Sequence, residues 1–486
     1  MEVHVTLGPR GEHAARIYRH VLDAILDGRL PAGARLPATR VLAEQLDVSR
    51  TTVALAYERL VAEGYLQGRV GAGTFVLATQ TVAGDLDRPH ATRTRRTVTR
   101  ANPPTHDPTP RAVWRALPLS DTTVAPLARY PFTIGLPDIG LFGFETWRRF
   151  VGQQLRVSAL GTGDYGEPEG LIALRAAIAR HYGVSRGLRA SADDVLVTRG
   201  AQQAIDLVTR VVVDPGSTVA VEDPGYPPAR HVFTSMGARV VGVPVDEEGL
   251  VVDALPGSAR LVYVTPSHQY PLGVAMSPAR RTALLSWARS AGAVVVEDDY
   301  DSEFRYGQRP LQPLHSIDRS SHVVYIGTFS KTMFPALRLG FLIAPASLRC
   351  ALRTAKQLSD WHTDTVSQAA LAHFIDEGLL ARHIRRASRH YAARRVAIRS
   401  WLGEMGNLLE ALPSSAGLHL TALARPGVAI DDAVGRAKAS GVVLRSVAPF
   451  HVDTPVRDGL MLGYGAIPVE RIRDALRLLA DALQAT

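Results

Sequence analysis

One cysteine, Cys350, stands in a chain of 486 residues, so no intrachain disulfide can form, and a reducing compartment is expected. Lysine is nearly as scarce. Among 55 Lys plus Arg it occurs only at Lys331, Lys356 and Lys438, which leaves arginine to fill almost every generic cationic position. No apolar run approaches the roughly 20 residues that span a bilayer, so no membrane partner is expected. The N-terminus lacks a basic-then-apolar signal pattern, and a cytoplasmic location follows as an expectation. No solenoid repeat is found, and low complexity is confined to one linker.

What is present is length and positive charge. At 486 residues the chain is long enough for two or three domains with large cores. A formal net charge of +9 and a pI near 9.8 favour contact with polyanions.

A surviving lysine asks for a chemical reason. Lys331 lies in Thr328–Gly340, TFSKTMFPALRLG, directly after the apolar segment Val323-Val324-Tyr325-Ile326. Arginine cannot lose its proton in a protein, whereas a desolvated lysine can, and a neutral amine forms a Schiff base with an aldehyde. Thr328 and Ser330 offer hydroxyls and Arg338 a planar cationic fork, which together suit a phosphate dianion. An amine beside a phosphate site reads as pyridoxal 5'-phosphate (PLP), with Lys331 as the catalytic Schiff-base residue.

Residues 10–77 read as a small helical domain. Ile17, Val21, Ala24 and Ile25 recur at helical spacing and end near Gly28. Thr39 is expected to cap a short second helix with Val41, Leu42 and Leu46. After the turn Asp47-Val48, Ser49 caps a third helix whose inner stripe is expected to be Val53, Tyr57, Leu60 and Val61. This is helix-turn-helix spacing. Ser49, Arg50, Thr51 and Thr52 at the start of the third helix can donate to phosphates or base edges, Arg50 being the best base reader. Tyr65–Val76, with Gly68, Gly71 and Gly73, reads as a β-hairpin wing that could rest Arg69 on a phosphate backbone.

Residues 78–125 form a Pro/Arg-rich linker. Six prolines interrupt helix and strand, and Arg93, Arg95, Arg96 and Arg100 suit either DNA phosphates or a self-repelling solvated tether. From 126 to 486, apolar runs alternate with helical patterns, beginning at Val195–Thr198 and ending at Phe341–Ala344. A mostly parallel sheet with helices on both faces is expected, an α/β class with ligands at the strand ends.

The polar motifs sit at those ends. Gly200, Ala201 and Gln202 open a helix whose amides can hold a phosphate. In Asp223-Pro224-Gly225-Tyr226-Pro227, Tyr226 can stack on a flat cofactor or simply pack. The acids Glu297-Asp298-Asp299 follow a buried strand, where Asp298 can pair with a pyridinium nitrogen and Tyr300 with a phenolic oxygen. The alternatives are a metal site, for which that run supplies no histidine, and an ion pair with Arg305.

The string LPATR, LDVSRTTVALAYERLVAEGYL, GRVGAGTFV resembles the winged-helix DNA-binding domain of GntR-type repressors. That resemblance implies DNA contacts at Arg40, Arg50, Thr51, Thr52 and Gly71. From Tyr130 onward YGEPEG, RGAQQAID, EDPGYP, TPSHQYPLG, EDDYDSEF and TFSKTMFPALRLG resemble fold-type I PLP aminotransferases in order and interval. Both halves together resemble the MocR/GabR-type transcriptional regulators. The resemblance implies phosphate contacts at Gly200, Ala201, Thr328 and Arg338, a stacking ring at Tyr226, and a homodimer in which Tyr165 reaches the neighbouring subunit's phosphate. It also implies double-stranded DNA, with repeated half-sites, as the partner.

Two departures matter. Aminotransferases of this fold usually have Asn-Pro where this chain has Tyr270-Pro271, which leans towards sensing rather than turnover. The segment Leu462–Ile467 has Ala466 where amino-acid-binding relatives are expected to carry a carboxylate-clamping arginine, with Arg445 as a possible substitute. PLP itself is therefore the expected effector ahead of a small amino compound. An active aminotransferase carrying a DNA-binding domain is the alternative.

Overall fold

The computed structural model describes residues 12–69, 71–77, 108–118, 128–160, 163–307, 312–452 and 457–484. It divides into two compact units, Met1–Asp107 and Pro108–Thr486.

In the first unit α1 (His13–Leu26), α2 (Thr39–Gln45) and α3 (Arg50–Ala62) precede a hairpin of β1 (Leu66–Arg69) and β2 (Gly73–Val76). Ile17, Val21, Ala24 and Ile25 of α1 meet Leu42, Val53, Ala56, Tyr57 and Leu60 in one core. Two expectations need correction. Thr39 is the first helical residue and Ala38 the cap position, without a side-chain cap. Val61 is exposed while Ala56 is buried, because the inward stripe of a 3.6-residue helix through 53, 57 and 60 includes 56 and passes 61 by about 100°. Ser49 caps α3 as expected, accepting the Thr52 amide at 3.1 Å.

The linker arginines Arg93, Arg95, Arg96 and Arg100 lie outside the described residues. Between Pro110 and Pro118 a single turn forms, α4 (Ala112–Ala116), in a stretch whose prolines were expected to interrupt any helix. No proline falls between those two, so the Leu117 amide can close on the Val113 carbonyl at 3.0 Å.

The second unit holds an eight-stranded sheet in the order β4-β11-β10-β9-β8-β5-β6-β7. Its strands are β4 (Val195–Thr198), β5 (Thr218–Asp223), β6 (Arg239–Asp246), β7 (Gly249–Leu250), β8 (Ala259–Val264), β9 (Val294–Asp299), β10 (Val323–Thr328) and β11 (Gly340–Ile343), after the short β3 (Tyr130–Pro131). β7 and β11 run antiparallel to their neighbours and the rest are parallel. Every residue of β10 is buried. Its side chains alternate between two cores: Val324 and Ile326 pack with α8 (Ala201–Val212) and α9 (Pro227–Ser235), and Tyr325 with α5 (Phe144–Gln154), α7 (Ile172–Arg186) and α13 (Thr365–Asp376). Burial on both faces is why these strands read as unbroken apolar runs. The remaining helices to this point are α6 (Val157–Leu160), α10 (Pro278–Ala291), α11 (Leu314–Ile317) and α12 (Ala346–Asp360).

The C-terminal part was not anticipated as a separate layer. After α14 (Leu379–Glu404), strands β12 (Leu409–Ala411), β13 (His419–Ala424), β15 (Arg445–Ser446) and β16 (Gly459–Gly463) form an antiparallel sheet. It is covered by α14, α15 (Ile430–Ala439) and α16 (Val469–Gln484), while β14 (Val442–Val443) pairs with β3.

Candidate functional site

A cavity of about 360 Å³ opens where β9 and β10 end and α8 begins. Its lining brings together Ala201, Gln202, Tyr226, Asp298, Tyr300, Thr328, Ser330, Lys331 and Arg338, nine expected residues that lie far apart in sequence. Gly200 sits directly behind them as the residue before α8, at φ 87°. A side chain there would be strained, and its Cβ would approach the Arg338 guanidinium to 3.5 Å. Tyr165 is not in this cavity. It is 75% exposed and packs on Trp361 with ring centroids 5.2 Å apart.

Lys331 donates from Nζ to the Gly135 carbonyl at 2.9 Å. Burial lowers its pKa below the ordinary lysine value, while the charges of Asp301 and Asp298 work the other way. The other two lysines differ from it. Lys356 is buried in an ion pair with Asp360, and Lys438 lies near the end of α15.

Asp298 is 4% exposed and accepts the Tyr263 hydroxyl on Oδ2 at 2.6 Å. Its Oδ1 has no hydrogen-bond partner among the described residues. Burial pushes its pKa up to about 6, against the Tyr263 hydrogen bond. A buried carboxylate oxygen without a partner suits a cationic N–H donor such as a protonated pyridine nitrogen.

At the other end of the cavity the α8 amides, the Thr328 and Ser330 hydroxyls and Arg338 converge. Thr328 Oγ1 stands 3.1 Å from Ser330 Oγ. Arg338 donates to the Arg199 carbonyl at 2.8 Å and makes no ion pair among the described residues. An exposed guanidinium without a carboxylate, beside a helix N-terminus, suits a phosphate. The residues therefore fit PLP at amine, ring nitrogen and phosphate.

The ion pair expected of the acidic run forms with another arginine. Arg186 of α7, not Arg305, pairs with Asp299 at 2.7 Å. Against the upward push of burial, the Arg186 charge and hydrogen bonds from Tyr325 and Arg186 hold its carboxyl below the usual range. The partner comes from 113 positions upstream, out of reach of any local reading.

Sequence reasoning also missed lining residues. Tyr263, Thr265, Asp301, His419 and the loop Thr133–Gly135 reach the cavity. His268, in the TPSHQYPLG segment, and His419 of β13 meet Asp301, with ligand-capable atoms all within 4.8 Å of one another. The histidine beside the turn at Tyr270 was the available signal. Ala466 lies in a separate surface depression with Asp138 and Arg394, so its lack of charge does not bear on the cavity. Arg445, of β15, does line it.

In the first unit the polar start of α3 is solvent-facing. Ser49, Arg50 and Thr51 are exposed and Thr52 is partly so. Ser49 Oγ lies 2.8 Å from Thr52 Oγ1, so those two hydroxyls serve the cap, and Arg50 Nε donates to Thr39 Oγ1 at 3.4 Å. Arg40 pairs with Glu44 at 3.2 Å. On the wing Arg69 lies over the Phe75 ring at 5.0 Å, and Gly71 is exposed at φ 75°.

Residues 13–76 match the bacterial regulatory proteins of the gntR family, and residues 151–457 match aminotransferase class I and II. The probable rhizopine catabolism regulatory protein MocR of Rhizobium meliloti is 36% identical, over 97% of this chain and 93% of its own. The pyridoxine biosynthesis transcriptional regulator PdxR of Corynebacterium glutamicum is 32% identical, over 94% of this chain and 92% of its own. Among solved structures, the α-aminoadipate aminotransferase LysN of Thermus thermophilus, complexed with N-(5'-phosphopyridoxyl)-L-leucine, superposes with a TM-score of 0.67. It is 31% identical and covers 73% of this chain and 91% of its own.

Proposed function

The chain belongs to the MocR-type transcriptional regulators, a GntR DNA-binding domain joined to an aminotransferase-like domain with PLP as cofactor, and from that premise we propose that the second unit is a sensor whose favoured signal is PLP. Bound PLP supplies an aldehyde for a lysine amine and, with its ring nitrogen protonated, an electron-withdrawing system. Lys331 is the amine, and burial favours the neutral form it needs. Asp298 would hold a proton at the ring nitrogen through the oxygen that has no partner among the described residues. Ala201, Gln202, Thr328, Ser330 and Arg338 hold the phosphate, with Gly200 allowing the close approach. Tyr226, on the cavity wall, would lie against the ring, and Tyr300 would donate to its phenolic oxygen. The exposed Tyr165 serves the site of a second copy in a homodimer.

The observation that carries this reading is the meeting, in one cavity, of a desolvated amine with a buried carboxylate oxygen and an arginine that have, among the described residues, no hydrogen-bond partner and no acid respectively. A relative named for pyridoxine biosynthesis supports PLP as the signal. Arg40, Ser49, Arg50, Thr51, Thr52, Arg69 and Gly71 form the DNA-facing set, Ser49 and Thr52 chiefly by fixing the start of α3. Two such units in a dimer read repeated half-sites spaced by whole helical turns. Occupancy of the cavity changes promoter binding only through a difference in affinity between two arrangements of the dimer. A DNA partner supports a cytoplasmic location.

Arg445 favours a second reading, an amino acid held by its carboxylate, bound or turned over by an active aminotransferase. Titrating PLP-loaded protein with amino acids while following visible absorbance and keto-acid formation decides between them. PLP as signal predicts no spectral shift and no product, and a shift with a physiological amino acid favours the second reading.

A further inference from the structure

At the wall of the cavity His268 and Asp301 form a buried polar pair that the reading above does not use. His268 and Asp301 are each 2% exposed. His268 Nδ1 stands 3.0 Å from Asp301 Oδ1 and 2.9 Å from the Tyr300 hydroxyl. Asp301 Oδ2 accepts the Leu418 amide at 3.1 Å, so the carboxylate acts as an acceptor at both oxygens.

An acceptor at this position requires the proton on Nδ1, which fixes the tautomer. A proton there is shared between Asp301 and the oxygen of Tyr300. Tyr300 then accepts from His268, and its own hydrogen points elsewhere. Tyr300 lines the cavity, so the open direction is into it.

The imidazole is held in place on every side. A side chain at Gly417 would collide with its ring, and a Cβ at Gly273 would lie 3.2 Å from Nε2. Ser414 Oγ stands 3.2 Å from Nε2, and the His419 ring lies 4.7 Å away. His419 itself bonds the Pro271 carbonyl at 3.0 Å, and burial, as the largest cause, lowers its pKa to about 3. Tyr270 closes the near side, its ring 5.8 Å from Tyr300. The ionisable groups facing His268 are thus Asp301, Tyr300 and His419, with Lys331 and Asp298 beyond them.

We infer that His268 is a positioning residue, held by Asp301, that turns the Tyr300 hydroxyl into a fixed donor toward the phenolic oxygen of bound PLP. The inference rests on the reading that PLP occupies this cavity. A donor at that oxygen withdraws the electron density that retains a proton on the neighbouring lysine-derived nitrogen. Removing the donor holds that proton more tightly.

The test is a pH titration of the visible absorbance of PLP-loaded, full-length protein. His268→Leu and Tyr300→Phe each raise the spectral midpoint by about one pH unit, roughly a tenfold gain in proton affinity. The double variant moves no further than Tyr300→Phe, and His268→Asn, which keeps an N–H near the Nδ1 position, stays close to wild type. If His268→Leu does not fold, His268→Gln, whose amide lies nearer the Nε2 position, takes its place with the same expected rise. An unmoved midpoint in the His268 variants beside a raised one in Tyr300→Phe overturns the inference. So do shifts that add in full. A wild type with no visible band after loading removes the cofactor reading itself, and this inference with it.

Discussion

The start of α3 and the cavity at the ends of β9 and β10 are both polar, but they are built in opposite ways. At α3 the side chains face solvent, and their mutual contacts are a cap and a long Arg50–Thr39 hydrogen bond. In the cavity wall Asp298 and Asp301 are nearly inaccessible, and most of their oxygens already have partners. A surface that reads a polyanion works by summing many exposed contacts, each sensitive to salt. A site that activates an amine works by burial and orientation, so one misplaced group is felt throughout it.

Substitutions should separate the two regions. Lys331→Ala should abolish the visible band of PLP-loaded protein completely, with helical content by circular dichroism unchanged. Arg50→Ala should leave that band intact and weaken specific DNA binding by about 1–3 kcal/mol, the worth of a lost base contact, measured by fluorescence anisotropy. Gly200→Ala should weaken PLP by roughly tenfold or more in a fluorescence titration, because forcing a side chain into φ 87° costs about 1–3 kcal/mol.

The pH response of unliganded protein sharpens the contrast. Burial raises Glu222, Glu297 and Glu303 to about 7, so between their unfolded value of 4.5 and that point the native state holds protons that the unfolded state releases. These groups stabilise at low pH, and their contribution is lost as pH rises through 7. Burial lowers His181, His315 and His383 below 6.5, which acts in the opposite sense only up to that value. Stability should therefore fall between about pH 6.5 and 7.5, by up to about 1.4 kcal/mol per pH unit for each extra proton held. Urea melts at several pH values check this, and a flat or rising profile contradicts it. The smallest effect belongs to the wing: Arg69→Ala should reduce the salt slope of DNA binding by about one.

Much of this was legible in the sequence because the large sheet is buried on both faces, which leaves runs such as Val323–Ile326 unbroken, and because motifs at strand ends stay local. The cap at Ser49 was legible for the same reason. Partners brought in by tertiary folding were not: Arg186 for Asp299, His268 and His419 for Asp301, Tyr263 for Asp298. The small antiparallel sheet escaped because β12 and β15 are two or three residues long. Ala466 misled because a position just after β16 turned out to line a different depression.

The central claim is that capture of PLP by Lys331 is felt at the DNA-reading surface. A DNA-binding titration of wild type and Lys331→Ala, each with and without PLP, tests it most directly. PLP is expected to change promoter affinity in wild type and to leave Lys331→Ala unmoved. Equal affinities for wild type in the presence and absence of PLP, or an equal response in both proteins, would contradict it.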